Sequence, residues 1–540
     1  MKSALALALG LAASAAVVAQ QTPAQHQHAP GGKLGTVHFA TSCATPAQAP
    51  FTHAMTLLHS FEFGQAIDAF NAALAADPSC GIAWWGVAMS RWGNPFNAAQ
   101  RGAPLLTQGL DAVHRAQQAG AKTERERAYI AAAAILYTNY ETTDQRTRQV
   151  AYCDAMAKLA STYADDREAT IFYALSLTAS ALPTDKTYAN QLKAGAMLEK
   201  LQPLEPDHPG ITHYIIHSYD VPALADRAIA AAHKYADIAP DAPHALHMPS
   251  HTFTRVGAWQ ESIDTNIRSA EIARSLGSTA EELHATDYMM YAYLQTGQDA
   301  AAERVLKSLP EIAKRFDVNA IGGAASGVAG TWAFAAVPAR WALERRDWKA
   351  AAALEVKPST APYVDAITHL ARAIGAAHTG ALADARASVA SLQTLQEKLV
   401  LAKETYWAEQ VGIQHEEAAA FVALAEGHGD QALTQLRAAA VREDATDKNA
   451  ISPGPLAPAH ELLGDMLLEL KQPAAALAEY QTVLKKEPRR FRAVYGVAHA
   501  AQLAGDAATS RKAFADLVKI CEKGDTPGRV ELVEARRAGK

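Results

Sequence analysis

Two histidine pairs, His213/His217 and His247/His251, stand 34 residues apart in a chain of 540 residues. Neutral imidazole is the commonest transition-metal ligand, and an i, i+4 pair on one helix can share an ion. A spacing of one whole helix-turn-helix unit puts the second pair at the same height on the next shelf, facing the first. In units counted from 209 and 243, the pairs occupy positions 5 and 9 of each, and His244 takes position 2 of the second. A third shelf at 283–316 brings His284, Asp287 and Tyr291 to positions 2, 5 and 9. Those positions share one face of a helix. His208 lies just before the first shelf. The four paired histidines are therefore expected to converge on one site, with His208, His244, His284, Asp287 and Tyr291 as further groove residues.

The chemistry of such a site is set by its donors. Nitrogen-rich sites suit zinc or copper, whereas magnesium and calcium prefer oxygen. Asp287 can act as an oxygen ligand or as the partner that fixes a ring tautomer. Between the paired histidines stand Tyr214-Ile215-Ile216 and Met248-Pro249-Ser250, so the H-E-x-x-H signature of zinc proteases, with its built-in carboxylate base, is absent. Met55, Met89, Met248, Met289 and Met290 offer thioethers for copper(I), although helical core positions explain most of them. Trp84, Trp85 and Trp92 read as core packing. The plainer alternatives are a polar ligand or peptide site and a set of hydrogen-bonded core histidines.

The elements that must position these side chains announce themselves by small and large residues at fixed offsets. Ala66, Phe70, Ala73 and Pro78 mark a unit at 47–80, Ala194, Leu198, Leu201 and Pro206 one at 175–208, and Ala228, Ala232, Tyr235 and Pro240 one at 209–242. Leu463, Gly464, Ala476, Tyr480 and Pro488 mark 457–490, with a weaker unit after it. Small residues let paired helices approach, and proline stops the second helix because it cannot donate a backbone hydrogen bond. This is the tetratricopeptide pattern. It predicts an all-α solenoid, a right-handed superhelix of helix-turn-helix units whose concave groove carries the histidines.

Composition and charge agree with that class. The chain is rich in alanine and moderate in charge, which favours helix. A net charge of −6 gives no reason to expect nucleic acid or an anionic membrane as partner. Met1-Lys2-Ser3 followed by the apolar run to Val18 reads as a leader over 1–19, which predicts a secreted or periplasmic protein with no transmembrane segment after cleavage. Beyond it the sequence divides into a disordered tail and linker over 20–46, holding His26 and His28, a histidine-lined solenoid over 47–320, irregular helical pairs over 331–450 and a last repeat pair over 457–524. The glycines of 321–330 mark either a hinge between two halves or a helix packed closely through small residues. Export permits disulfides. Cys43 and Cys80 flank the first unit and are expected to bridge it, the alternative being that all four cysteines, with Cys153 and Cys521, are buried thiols.

At the stretches HPGITHYIIHSYD (208–220), APDAPHALHMPSHTFTRVGAW (239–259), 57–90 and 443–470, the chain resembles a group of exported bacterial tetratricopeptide-repeat proteins. The resemblance spans nearly the whole mature chain. It implies the helical repeat fold and carries no particular reaction. Three functions follow from these readings: a binding scaffold with a metal-occupied groove, a metal-dependent hydrolase or oxidase using the same histidines, or a plain scaffold that takes a protein or peptide in the groove.

Overall fold

Helices dominate because the alanines impose little entropic cost, and they persist through Pro50, Pro310 and Pro338 and through interior glycines such as Gly86 and Gly195. The computed structural model describes residues 32–538. The expected leader and the tail residues His26 and His28 lie outside the described residues. Within them the protein is all-α: twelve helix-turn-helix pairs run from Thr45–His59 and Phe63–Ala76 to Phe491–Leu503 and Ala507–Ile520, and Val530–Ala538 closes the series. Each helix packs on its successor, and the first helices of most consecutive pairs also touch, forming the inner row of a solenoid. Among the described residues no helix is long and apolar enough to cross a membrane.

Most turns between paired helices use a residue with positive φ. Gly257, Gly297 and Gly505 supply it in three pairs, where the absence of a Cβ makes that conformation inexpensive. In the first pair the turn falls on Phe61, at φ 58°, whose ring is buried against the histidines described below.

Three features of this architecture differ from what the residue pattern suggests. Residues 32–44 are not part of a free tail. They run as an extended strap in which the Thr36 amide donates to the Asp207 carbonyl at 3.0 Å, and Leu34, Val37 and Phe39 are buried. Three apolar side chains at alternating or near-alternating positions give the strap enough burial to hold it, at roughly 1.5 to 3 kcal/mol each. Residues 321–330 also do not behave as a loose joint. The Gly64 amide donates to the Gly322 carbonyl at 2.9 Å, a Cβ on Gly64 would collide with the Ile321 carbonyl, and Gly327 already begins the helix Gly327–Glu344. Finally, the buried apolar side chains fall mainly into two large clusters, one running to Met248 and joined by Ala324, the other beginning at Trp259. The division lies in the second histidine unit, about 70 residues before the expected hinge.

The solenoid is drawn in on itself. The first helix, Thr45–His59, packs against Pro209–Ser218, and Thr279–Gln295 packs against Phe491–Leu503. Loops close the gap between the two halves: the Gln100 amide donates to Glu404 at 2.8 Å and Asn449 to the Phe96 carbonyl at 3.4 Å.

Cys43 and Cys80 form a disulfide with their Cα atoms 5.0 Å apart, while Cys153 and Cys521 are buried thiols. The bridge ties the end of the strap to the end of the first pair. Closing a loop of this length restricts the unfolded chain by about 4 kcal/mol in the chain-entropy account. Replacing both residues by serine is expected to lower the unfolding free energy by about 3 to 4 kcal/mol in denaturant titration under oxidising conditions. An unchanged midpoint would mean that the bridge adds nothing to the fold.

Candidate metal centre

Both histidine helices start on a proline at the same place in the repeat, Pro209 and Pro243, which fixes the first helical φ and phases the histidines alike. His208 caps the first, its Nδ1 accepting from the Ile211 amide at 3.3 Å. The second is interrupted. Pro249 has no amide hydrogen to donate, so the helix divides into Pro243–His247 and Pro249–Arg255 around Met248. The His251 amide donates to the Met248 carbonyl at 3.1 Å, a tightened turn that swings His251 back toward His247.

The result is a bed of six buried imidazoles in two triads. His213, His217 and His244 form one, and His247, His251 and His284 the other, with one ligand atom from each ring within 4.8 Å of the others in its triad. The triads adjoin: ring centroids are 5.9 Å apart for His217 and His251 and 6.0 Å for His244 and His247. None of the six is more than 7% exposed. Burial drives every one of them below the usual imidazole range, His213 and His284 to about 3. The rings are therefore neutral at physiological pH, the protonation state in which imidazole can bind an ion.

Hydrogen-bond partners fix several tautomers. His213 Nδ1 lies 2.7 Å from the His59 carbonyl, and a carbonyl can only accept, so Nδ1 carries the proton and Nε2 is bare. His247 Nδ1 donates to Asn266 Oδ1 at 2.7 Å, the amide nitrogen of Asn266 being occupied by the Ser262 carbonyl. His251 Nδ1 donates to Asp220 Oδ2 at 2.8 Å. Asp220 is itself held by Arg255 at 2.9 Å and faces Lys448 at 3.6 Å. Although burial acts in the opposite direction, those two cations hold the Asp220 carboxyl far below the ordinary range. His247 and His251 are left with bare Nε2 lone pairs facing each other at 3.0 Å.

The four histidines expected to converge are thus divided, one pair to each triad, and His244 and His284 complete the two sets. His208 belongs elsewhere. It shares Glu168 with His59, both rings 2.9 Å from the carboxylate, and His59 Nδ1 also meets the Tyr214 hydroxyl at 3.0 Å. Every nitrogen of that group has a protein partner, which makes it a closed structural network.

Asp287 and Tyr291 do not join the imidazoles. Asp287 accepts from Arg340 Nε at 2.8 Å with both side chains fully buried, and Tyr291 lies between Glu487 and Arg490. Helix Thr279–Gln295 starts four residues ahead of the expected third unit, and Tyr288, one residue past Asp287, meets the triad instead. The Tyr288 ring lies 4.6 Å from His247, and its hydroxyl is 3.3 Å from His251 Nε2 and 3.2 Å from the Ala450 and Ser452 carbonyls. The methionines are no part of the site: Met55, Met89 and Met248 sit in the first apolar cluster, and Met289 and Met290 in two smaller ones.

Residues from 94–102, 318–329 and 449–451 line, together with His217, His244, His251 and His284, a single cavity of about 560 Å³. Trp92, Phe96 and Tyr363 contribute aromatic wall, and Arg101 cation; its guanidinium stacks on Trp92 at 3.9 Å.

No known protein-family profile matches this chain, and no curated protein matches it. Solved structures similar to it include the human IFIT1 dimer with m7Gppp-AAAA, at 9% identity over 89% of this chain and 98% of that one, with a TM-score of 0.37. The Cut9–Hcn1 hetero-tetramer of the APC/C is similar at 12% identity, 92% and 90% coverage and a TM-score of 0.33.

The Asp287–Arg340 pair carries a prediction of its own. Removing one partner leaves a buried uncompensated charge, a loss of about 3 to 5 kcal/mol. Asp287→Ala is expected to lower the denaturation midpoint accordingly, and Asp287→Ala/Arg340→Met to recover much of it. A single variant as stable as the parent would remove the pair from the framework.

Proposed function

We propose that this protein is a tetratricopeptide-type solenoid that binds a transition metal, zinc or copper, in a histidine-lined chamber. One observation carries the reading: the facing Nε2 lone pairs of His247 and His251, 3.0 Å apart, whose tautomers are set by Asn266 and Asp220. Two bare acceptors at that distance repel each other unless an electrophile lies between or beside them. A proton is disfavoured there by burial and by Lys448. A metal ion satisfies both nitrogens and His284 together, and the Asp220–His251 contact is the carboxylate–histidine arrangement that orients metal ligands.

Magnitudes favour the same choice. His217 Nε2, His244 Nδ1 and His284 Nδ1 are buried without a protein partner. An unsatisfied buried polar atom costs about 1 to 3 kcal/mol, whereas a structural zinc site supplies roughly 10 to 16 kcal/mol. The nitrogen donor set fits zinc and copper, not magnesium or calcium.

A second reading, a metal-dependent hydrolase or oxidase, draws on the chamber. Its volume of about 560 Å³ adjoins the open side of the triads, as a catalytic ion with a vacant position requires. Export to an oxidising compartment is part of the proposal, supported by the leader-like start of the sequence and the Cys43–Cys80 bridge.

Elemental analysis of untagged protein is expected to find zinc or copper. His247→Ala should lower its content about tenfold or more, and Asp220→Asn should weaken affinity about 10- to 100-fold through the ring it orients. The exposed His428 serves as control, and His428→Ala should change nothing. Equal metal retention in the His247 and His428 variants would refute the centre.

A further inference from the structure

We infer that the chamber holds not one ion but two, one on each triad, forming a paired copper centre open to a small bridging anion. The inference rests on the metal reading of the second triad and extends it to the first.

The first triad has its own reason to take an ion. His213 Nε2 is bare and lies 3.1 Å from His244 Nε2. Without a metal, His244 can relieve that contact only by placing its proton on Nε2 and donating to His213. Its Nδ1 would then be a bare lone pair aimed at Glu281 Oε2, 3.9 Å away, and both of those atoms are buried with no hydrogen-bond partner. A metal on His244 Nε2 reverses the assignment. The proton must move to Nδ1, where it faces Glu281 Oε2 across 3.9 Å, a gap that a small side-chain shift closes to a hydrogen bond. The same ion gives His217 Nε2, also buried and without a protein partner, a place to bind.

Two acidic side chains stand together behind the first triad. Glu281 and Glu62 are buried together, each close to where a Cβ on Gly323 would lie, and Glu62 Oε1 accepts from the His244 amide at 3.3 Å. Among the described residues no lysine or arginine forms an ion pair with either carboxylate. Asp220 behind His251 and Glu281 behind His244 thus give each triad one carboxylate at the back of one ring.

The pairing follows from where the triads open. His217 and His244 of the first triad, with His251 and His284 of the second, line the same chamber. With centroids of neighbouring rings about 6 Å apart across the boundary, two ions on these rings lie close enough to share a hydroxide- or azide-sized ligand. Each ion is offered three neutral nitrogens and no thiolate. On such donors the affinity order places copper above zinc.

The test is to load the metal-free full chain with Cu(II), remove the excess, and compare copper content with the integrated EPR signal. Two coppers per chain are expected, with a signal well below the copper content because adjacent Cu(II) spins couple, and azide should perturb both ions together. His217→Ala should bind one copper with a full uncoupled signal. Glu281→Gln keeps all six rings and should weaken one of the two ions about tenfold or more, leaving the other unchanged. A single copper per chain that His247→Ala abolishes would overturn the pair and leave the metal reading standing. Two coppers with a full uncoupled signal would also overturn it. Protein that retains no copper would overturn both.

Discussion

An imidazole cannot be buried until the direction of both its nitrogens is settled, and this protein buries eight of them along one inner face. That constraint organises the middle of the molecule. A backbone carbonyl, an amide oxygen and a carboxylate take the Nδ1 protons of His213, His247 and His251, and each choice turns a bare Nε2 inward. His59 and His208 resolve the same problem by sharing Glu168 and leave nothing unsatisfied. The contrast between a closed network and one with lone pairs left over, built from the same side chain a few ångströms apart, separates structural histidines from candidate ligands.

The inner row of helices was legible in the sequence because repeat length and helical periodicity are both local rules. His213, His217, His247 and His251 could be placed on one face from spacing alone, and His244 and His284 followed from the same count. What was not legible is whatever the repeat does not dictate. Asp287 was matched to His213 and His247 by position, yet it pairs with Arg340, and Tyr288 meets the imidazoles in its place. Asp220, Asn266 and Glu281 set or face the imidazoles from other helices and loops, at separations no periodicity encodes. Met248-Pro249-Ser250 was read for the carboxylate it lacks and for the Met248 thioether, not for the helix break at Pro249.

Composition was ambiguous at one place and misled at another, because small and flexible residues are also those that allow close packing. The glycines of 321–330 read as a joint or as a closely packed helix; Gly327 and Gly330 lie in a helix, and Gly323 passes beside Glu62 and Glu281 and lines the chamber. The strap at 32–44 reads as tail because its neighbours are polar, while Leu34, Val37 and Phe39 carry enough apolar surface to be held. The division between apolar clusters falls at the histidine unit itself, so the chamber sits where two halves of the core meet, a common place for ligand sites.

An open solenoid is nearly one-dimensional: each repeat leans only on its neighbours, and the array can fray from either end. Here the strap reaches Asp207, the first helix reaches the fifth pair, and the Arg529 side chain is bound to Asp299 at 2.6 Å. Both ends are thus fastened to the middle. Neither end of the helical array can peel away without loosening the shelves that carry the imidazoles, and those shelves cannot open without releasing the ends. The molecule has exchanged the independence of its repeats for a single cooperative unit centred on its most polar interior.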